Sequence, residues 1–170
     1  ISDTLLFRSP TCTEVDKKAA TELAVIAGIQ LETYAGEMFA AGSNLKSKTD
    51  EDIFYQDFKK FTAGKVSFGV GQISSMNVQE LDTLKTRLIP YIQQAHKEQR
   101  GMDMIFFMLT NILDESTILI CEGSGARKMI MSAFHIEEAE GGGWGCTVVL
   151  PGVVSRKKQL IPAIGMALQA

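Results

Sequence analysis

Three cations stand side by side in Ser155-Arg156-Lys157-Lys158-Gln159, directly after the apolar run Cys146-Thr147-Val148-Val149-Leu150 and the turn-forming stretch Pro151-Gly152-Val153-Val154. Charge triplets are ordinarily solvated surface. This one sits where a buried strand gives way to a helix, so long cationic side chains lie beside free helix N–H groups, and the two together form a receptor for phosphate oxygens. A planar guanidinium at Arg156 is suited to grip two oxygens at once, and the Lys157 ammonium adds a point charge that steadies developing negative charge. Spacing alone leaves this anion site and a purely structural cluster both open.

Other residues carry weaker signals. Asp3, in Ile1-Ser2-Asp3, fits the carboxyl end of a strand, where open α/β sheets place ligands, and fits a cap or turn equally. One carboxylate does not make a metal site. Lys59 falls late in a segment that reads as helical, where a lysine complements the helix dipole, and its spacing implies no chemistry. The glycine-rich stretches Glu122-Gly123-Ser124-Gly125 and Gly141-Gly142-Gly143 complete neither a dinucleotide nor a phosphate-loop fingerprint and read as turns and a mobile loop. His96 and His135 lack metal-ligand spacing and read as structural or surface residues. Cys12, Cys121 and Cys146 are odd in number and widely spaced; they suggest neither a disulfide framework nor a zinc site, but small buried residues in a reducing compartment.

The elements that must position these residues follow from periodicity and caps. Thr13 caps a helix with Glu14 and Asp16 in its first turn and Leu23, Ala24, Ile26 and Ala27 as its apolar face, closed by Gly28. A second short helix carries Leu31, Tyr34, Met38 and Phe39 and ends near Gly42. The polar stretch from Gly42 to Lys48 reads as a linker and a domain boundary. Thr49 opens a helix, with acids at 50–52, that should run to about Lys60. Lys65 to Ile73 alternates as a strand, and Asn77 with Glu80 starts a long helix that Pro90 should kink or divide. The runs 103–110 and 117–121 read as buried strands of an antiparallel hairpin, followed by a helix over 126–134, a strand over 146–150 and a last helix through Leu160, Ile164, Met166 and Leu168. Strands interspersed with helices imply an α/β fold, a mixed β-sheet with helices on both faces.

Composition sets the outer limits. The chain has 170 residues, 45% hydrophobic and 22% charged, as in a soluble globular protein of one domain or slightly more. A net charge of -3 argues against general nucleic-acid binding, so the basic cluster is local and suited to a small anion. No stretch has the length of a membrane-spanning helix and none has the pattern of a signal peptide, which implies a cytoplasmic protein without membrane or nucleic-acid partners. Apolar residues from the first position, with no initiator Met, imply a piece of a longer protein.

The segments Ile1-Ser2-Asp3-Thr4-Leu5-Leu6-Phe7-Arg8-Ser9-Pro10-Thr11-Cys12-Thr13, Asp57-Phe58-Lys59-Lys60-Phe61 and Leu150-Pro151-Gly152-Val153-Val154-Ser155-Arg156-Lys157-Lys158-Gln159 together resemble the carboxyl-terminal half of a family II, manganese-dependent inorganic pyrophosphatase of the DHH phosphoesterase superfamily. The resemblance runs through essentially the whole chain, and Ser-Arg-Lys-Lys-Gln is its most specific part. It implies a hydrolase of phosphate metabolism with its active site between two domains. Manganese or cobalt would be held mainly by the amino-terminal domain, and magnesium would accompany the pyrophosphate. Asp3 then matches a metal-ligand aspartate. Lys59, Arg156 and Lys157 match the substrate-binding, catalytic cations. Residues 1–42 would end the metal-binding DHH domain, 43–48 would be the hinge, and 49–170 the substrate-binding, DHH-associated carboxyl-terminal domain.

The Asp-His-His motif and most of the metal ligands are absent, so this resemblance implies a chain inactive by itself that needs the missing amino-terminal domain as partner. Apolar surface around Leu5, Leu6, Phe7 and the first two helices would be left uncovered and would favour self-association. Two alternatives remain: a non-catalytic phosphate-binding or interaction module, and an exopolyphosphatase-like or prune-like relative with a longer or more open cleft near Trp144.

Overall fold

A computed structural model describes residues 1–42, 45–98, 101–142 and 145–169. Two helices come first. In α1 (Glu14–Ala27), Thr13 and Asp16 exchange side-chain and backbone hydrogen bonds as a full capping box, and Gly28, at φ 65°, closes the helix. The next, α2, spans Leu31–Gly42. Of the apolar face expected on α1 only Ala24 is buried, while Leu23 and Ile26 are 63% and 82% exposed. The expected linker is in part a short 3-10 turn, Leu45–Ser47; its Ser43 and Asn44 lie outside the described residues.

The main layer is a five-stranded mixed sheet in the order β1-β2-β3-β4-β5. Its strands are β1 (Phe58–Ala63), β2 (Val66–Ser75), β3 (Met104–Asn111), β4 (Ser116–Glu122) and β5 (Cys146–Pro151). The pair β2 and β3 is parallel, joined through the long helix α4 (Val78–Glu98), and the other pairs are antiparallel. Alternation divides the core in two. Phe68, Val70, Phe106, Met108 and Leu119 face one side, under α5 (Ala126–Phe134) and α6 (Ile161–Ala167). Ile73, Ile105, Phe107, Leu109 and Ile120 face the other, under α3 (Asp50–Gln56) and α4. The α/β class and the helices on both faces are therefore as the sequence implies. Among the described residues no helix is long and apolar enough to cross a membrane.

Three local expectations change. The helix opened by Thr49 stops at Gln56, and Lys59 and Lys60 lie on β1. The reason is the two-residue turn Gly64-Lys65, with Gly64 at φ 61°, which folds β1 back on β2 in register from Phe58↔Gly71 to Ala63↔Val66. Phe58 gains a ring contact with Phe54 at 4.5 Å, and its ring occupies the space above Gly69. A continued helix would forfeit both the pairing and the contact.

The helix α4 is undivided although Pro90 lies inside it, because its apolar stripe Leu81, Leu84, Leu88, Ile92 and Ala95 seats on the sheet on both sides of the proline. Its start is half the expected box. The Glu80 N–H donates to Asn77 Oδ1, while the Glu80 carboxylate takes the Ser75 hydroxyl.

Candidate functional site

After β5 the chain turns at Gly152, φ 73°, whose N–H donates to the Glu115 carbonyl. A polar chain across the sheet then fixes the backbone that follows. Gln72 Nε2 on β2 donates to Thr110 Oγ1 and to the Val154 carbonyl; Thr110 and Thr117 share a hydrogen bond at 3.0 Å; and the Thr117 hydroxyl donates to the Val153 carbonyl at 2.6 Å. Buried hydroxyls must find partners, so three strands agree on one position for this loop.

Gln159 locks it from the other side. Its Oε1 accepts from the Val154 and Ser155 N–H groups, and its Nε2 donates to the Gly152 carbonyl. Ser155 caps the turn that follows by accepting from the Lys158 N–H, and Arg156–Leu160 forms one wide π-helical turn leading into α6. Such insertions often sit at functional positions. Ser155 and Gln159 therefore shape the backbone, and the cations between them are what the loop presents.

Arg156 is only 9% exposed. Its Nη1 donates to the Asp57 and Val70 carbonyls at 2.7 and 3.3 Å, and its Nη2 pairs with Asp57 Oδ1 at 2.9 Å. Both Nη atoms are thus engaged by protein, unlike the open two-oxygen grip that sequence alone suggests. The guanidinium ties the loop to the end of α3 and to β2, and the residue still lines a cleft. Lys157 is exposed, forms no ion pair among the described residues, and lines the same cleft.

That cleft has a volume of about 650 Å³. It is lined by Asp57, Gln72, Ser74, Ser155, Arg156 and Lys157 at the sheet end, and by residues from the 2–11 segment and the end of α2. Asp3 is among the lining residues of the 2–11 segment. It is not at a strand end. Residues 2–8 are a run of turns, with Leu5, Leu6 and Phe7 left-handed at φ 48°, 52° and 70°, and the strand pairing that would extend them is absent among the described residues. An ion pair of 3.8 Å between Arg8 and Glu115 joins this segment to the β3–β4 turn.

The structure therefore brings Asp3, Arg156 and Lys157 to one cleft. Lys59 is not among its lining residues. It is exposed on β1, in register with Val70, the residue whose carbonyl accepts from Arg156. Among the described residues no group of three or more histidines, cysteines and carboxylates is placed to hold a metal ion. His96 Nε2 lies 3.1 Å from the Met102 and Asp103 carbonyls, and His135 closes α5, so both act structurally. Trp144 lies outside the described residues.

Sequence reasoning missed Asp57, Gln72, Thr110 and Thr117. Each is an ordinary polar residue beside or within a strand, and its partner lies between 7 and 99 residues away.

Comparison with known proteins follows the same outline. The DHHA2 domain family matches residues 36–167. A cobalt-dependent inorganic pyrophosphatase of Clostridium perfringens is 43% identical over 96% of this chain and 29% of its own length. A probable manganese-dependent inorganic pyrophosphatase of Clostridium acetobutylicum is 39% identical over 99% of this chain and 52% of its own length. Among solved structures, a Methanococcus jannaschii protein assigned to family II inorganic pyrophosphatases superposes with a TM-score of 0.82 at 34% identity, over 99% of this chain and 53% of that one. The chain thus spans about half the length of these relatives, or less.

Proposed function

The chain belongs to the DHHA2 domain family, and from that premise we propose that it is the substrate-binding carboxyl-terminal part of a manganese- or cobalt-dependent inorganic pyrophosphatase. The observation that carries this reading is Arg156 and Lys157 on a loop fixed from both sides, lining the same open cleft as Asp3. Pyrophosphate is small and highly charged. A fixed loop with a buried guanidinium and an exposed ammonium lowers the cost of gathering that charge before any bond breaks.

In this reading Lys157 contacts phosphate oxygens directly, Arg156 contacts them from its anchored position, and Lys59 reaches in from the rim. Asp3 supplies one carboxylate to a metal cluster completed by an amino-terminal DHH domain. The described residues do not make a metal site alone, so no hydrolytic step is written for this chain, and by itself it binds pyrophosphate without turning it over. Residues 1–42 would belong with the metal-binding half, 43–48 would be the hinge, and 49–170 would close on substrate.

Calorimetry of the chain with pyrophosphate, phosphate and tripolyphosphate, with magnesium or manganese present, tests the assignment. The expected result is preferential pyrophosphate binding, lost in Arg156→Ala and Lys157→Ala. Equal binding by both variants would overturn the roles given to these cations, and preference for tripolyphosphate would move the reading to polyphosphate. Metal-dependent turnover by the chain alone would overturn the proposed need for a second domain.

A further inference from the structure

The Nη end of the Arg156 guanidinium is taken up by protein, and its Nε side is not. A guanidinium is planar and carries five N–H donors in fixed directions, two on each Nη and one on Nε. Nη1 spends both of its hydrogens, on the Asp57 carbonyl at 2.7 Å and the Val70 carbonyl at 3.3 Å, and Nη2 spends one on Asp57 Oδ1 at 2.9 Å. Nε donates to no acceptor among the described residues and is not sealed from solvent. Two donors are left, Nε–H and the second Nη2–H. Because Asp57 meets Nη1 and Nη2 together, it takes the edge between them. The two remaining hydrogens then run parallel along the other edge, the fork that receives two oxygens of one phosphate.

Asp57 is an unexpected residue for an anion site. Its side chain is 46% exposed and it lines the same cleft as Arg156 and Lys157, where a carboxylate repels phosphate oxygens. What it supplies is orientation. It holds the guanidinium with two atoms of different origin, a backbone carbonyl at the end of α3 and a side-chain oxygen. Two contacts on one edge set the plane of the group as well as its position, and pre-set donors bind without first being ordered.

We propose that Asp57 is a positioning residue of the cleft, holding the Arg156 guanidinium in the plane in which Nε–H and the free Nη2–H grip two oxygens of one phosphate group; this rests on the assignment of the cleft to pyrophosphate. Asp57 itself contacts no substrate atom. Its charge works against anion binding, and it acts through the geometry it gives to Arg156. Charge and orientation therefore predict effects of opposite sign when the carboxylate is removed.

The test is calorimetry with pyrophosphate and magnesium on the native chain, Asp57→Ala, Asp57→Asn, Arg156→Lys and the double variant Asp57→Ala with Arg156→Lys, each checked for fold by circular dichroism. Asp57→Ala should bind about tenfold more weakly although a negative charge has left the cleft. Asp57→Asn keeps both acceptor oxygens without the charge and should bind at least as tightly as the native chain. Arg156→Lys, cationic but without the fork, should also lose about tenfold. On that background Asp57→Ala should cost nothing further, because no guanidinium remains to be oriented. Equal or tighter binding by Asp57→Ala would overturn the proposal and leave the pyrophosphate assignment standing. Weaker binding by Asp57→Asn, native affinity in Arg156→Lys, or a further loss in the double variant would do the same, the last by tracing the effect to the fold. No pyrophosphate binding by the native chain would overturn the assignment itself and the proposal with it.

Discussion

The Arg156 guanidinium is nearly buried, and its charge is balanced mainly by Asp57, a residue half exposed at the end of α3. A buried charge that loses its partner costs more than the pair contributes. Asp57→Ala, which keeps only the backbone carbonyl, should therefore lower stability by about 1–3 kcal/mol in urea unfolding, whereas Asp57→Asn, which also keeps a side-chain oxygen acceptor, should lose less than half as much. Equal losses would mean that Arg156 is held by something other than this contact.

Tyr91 is a second residue whose surroundings can be read out. Burial first, then the nearby Glu51 and other acidic groups, push its phenol up to about 12. Because the folded value lies above the unfolded one, Tyr91 contributes its full stabilisation below about pH 10, and this is lost as pH rises through the folded value. Ultraviolet titration should show one late phenolate transition that disappears in Tyr91→Phe.

Among the elements, β2 shows how a strand can depend on having no side chains. Gly69 and Gly71 face the α3–α4 side, and rings of Phe58 and Phe107 fill the space a Cβ would take. Phe54 stacks against both rings. Gly71→Ala should force the Phe107 ring aside at a cost of about 1–3 kcal/mol, seen as a lower urea midpoint with an unchanged slope. The segment bonded to the edge of β5 depends on charge. Lys85 on α4 hydrogen-bonds Glu140 and, with a smaller contribution from Thr147, holds its carboxyl below the ordinary value. The folded value is the depressed one, so this tie is present above the ordinary carboxylate range and released as pH falls through the lowered value. Amide resonances of Glu140 and Thr147 should shift together with that acidic midpoint, and Glu140→Gln should abolish the shift.

At the scale of the molecule, the sheet with its two helical layers is well covered, but α1 carries Leu23, Val25 and Ile26 outward at 63%, 77% and 82% exposure. Apolar surface of this kind drives association. In the isolated chain it should produce concentration-dependent dimers by light scattering, which Val25→Lys with Ile26→Lys should reduce to monomer. A native chain that stays monomeric at high concentration would remove self-association from the account.

The sequence by itself determined the elements whose signals are local. Thr13 with Asp16 and Gly28 bounded α1, the apolar runs marked β3 and β4, and the order of strands and helices marked a mixed α/β sheet. It also marked Arg156 and Lys157, because adjacent charges after a buried strand are visible without any partner. Tertiary structure alone decided what depends on distant partners. Phe58 to Ala63 became a strand because β2 lay ready to pair with it and Phe54 to receive its ring, which moved Lys59 from a helix end to a sheet edge. Asp57 became the counter-charge of Arg156 across 99 residues, and Gln72, Thr110 and Thr117 became the supports of the cationic loop. Hydrogen bonds of that kind leave no period in the sequence, since a polar side chain on a strand looks the same whether it meets water or a carbonyl brought to it by the fold.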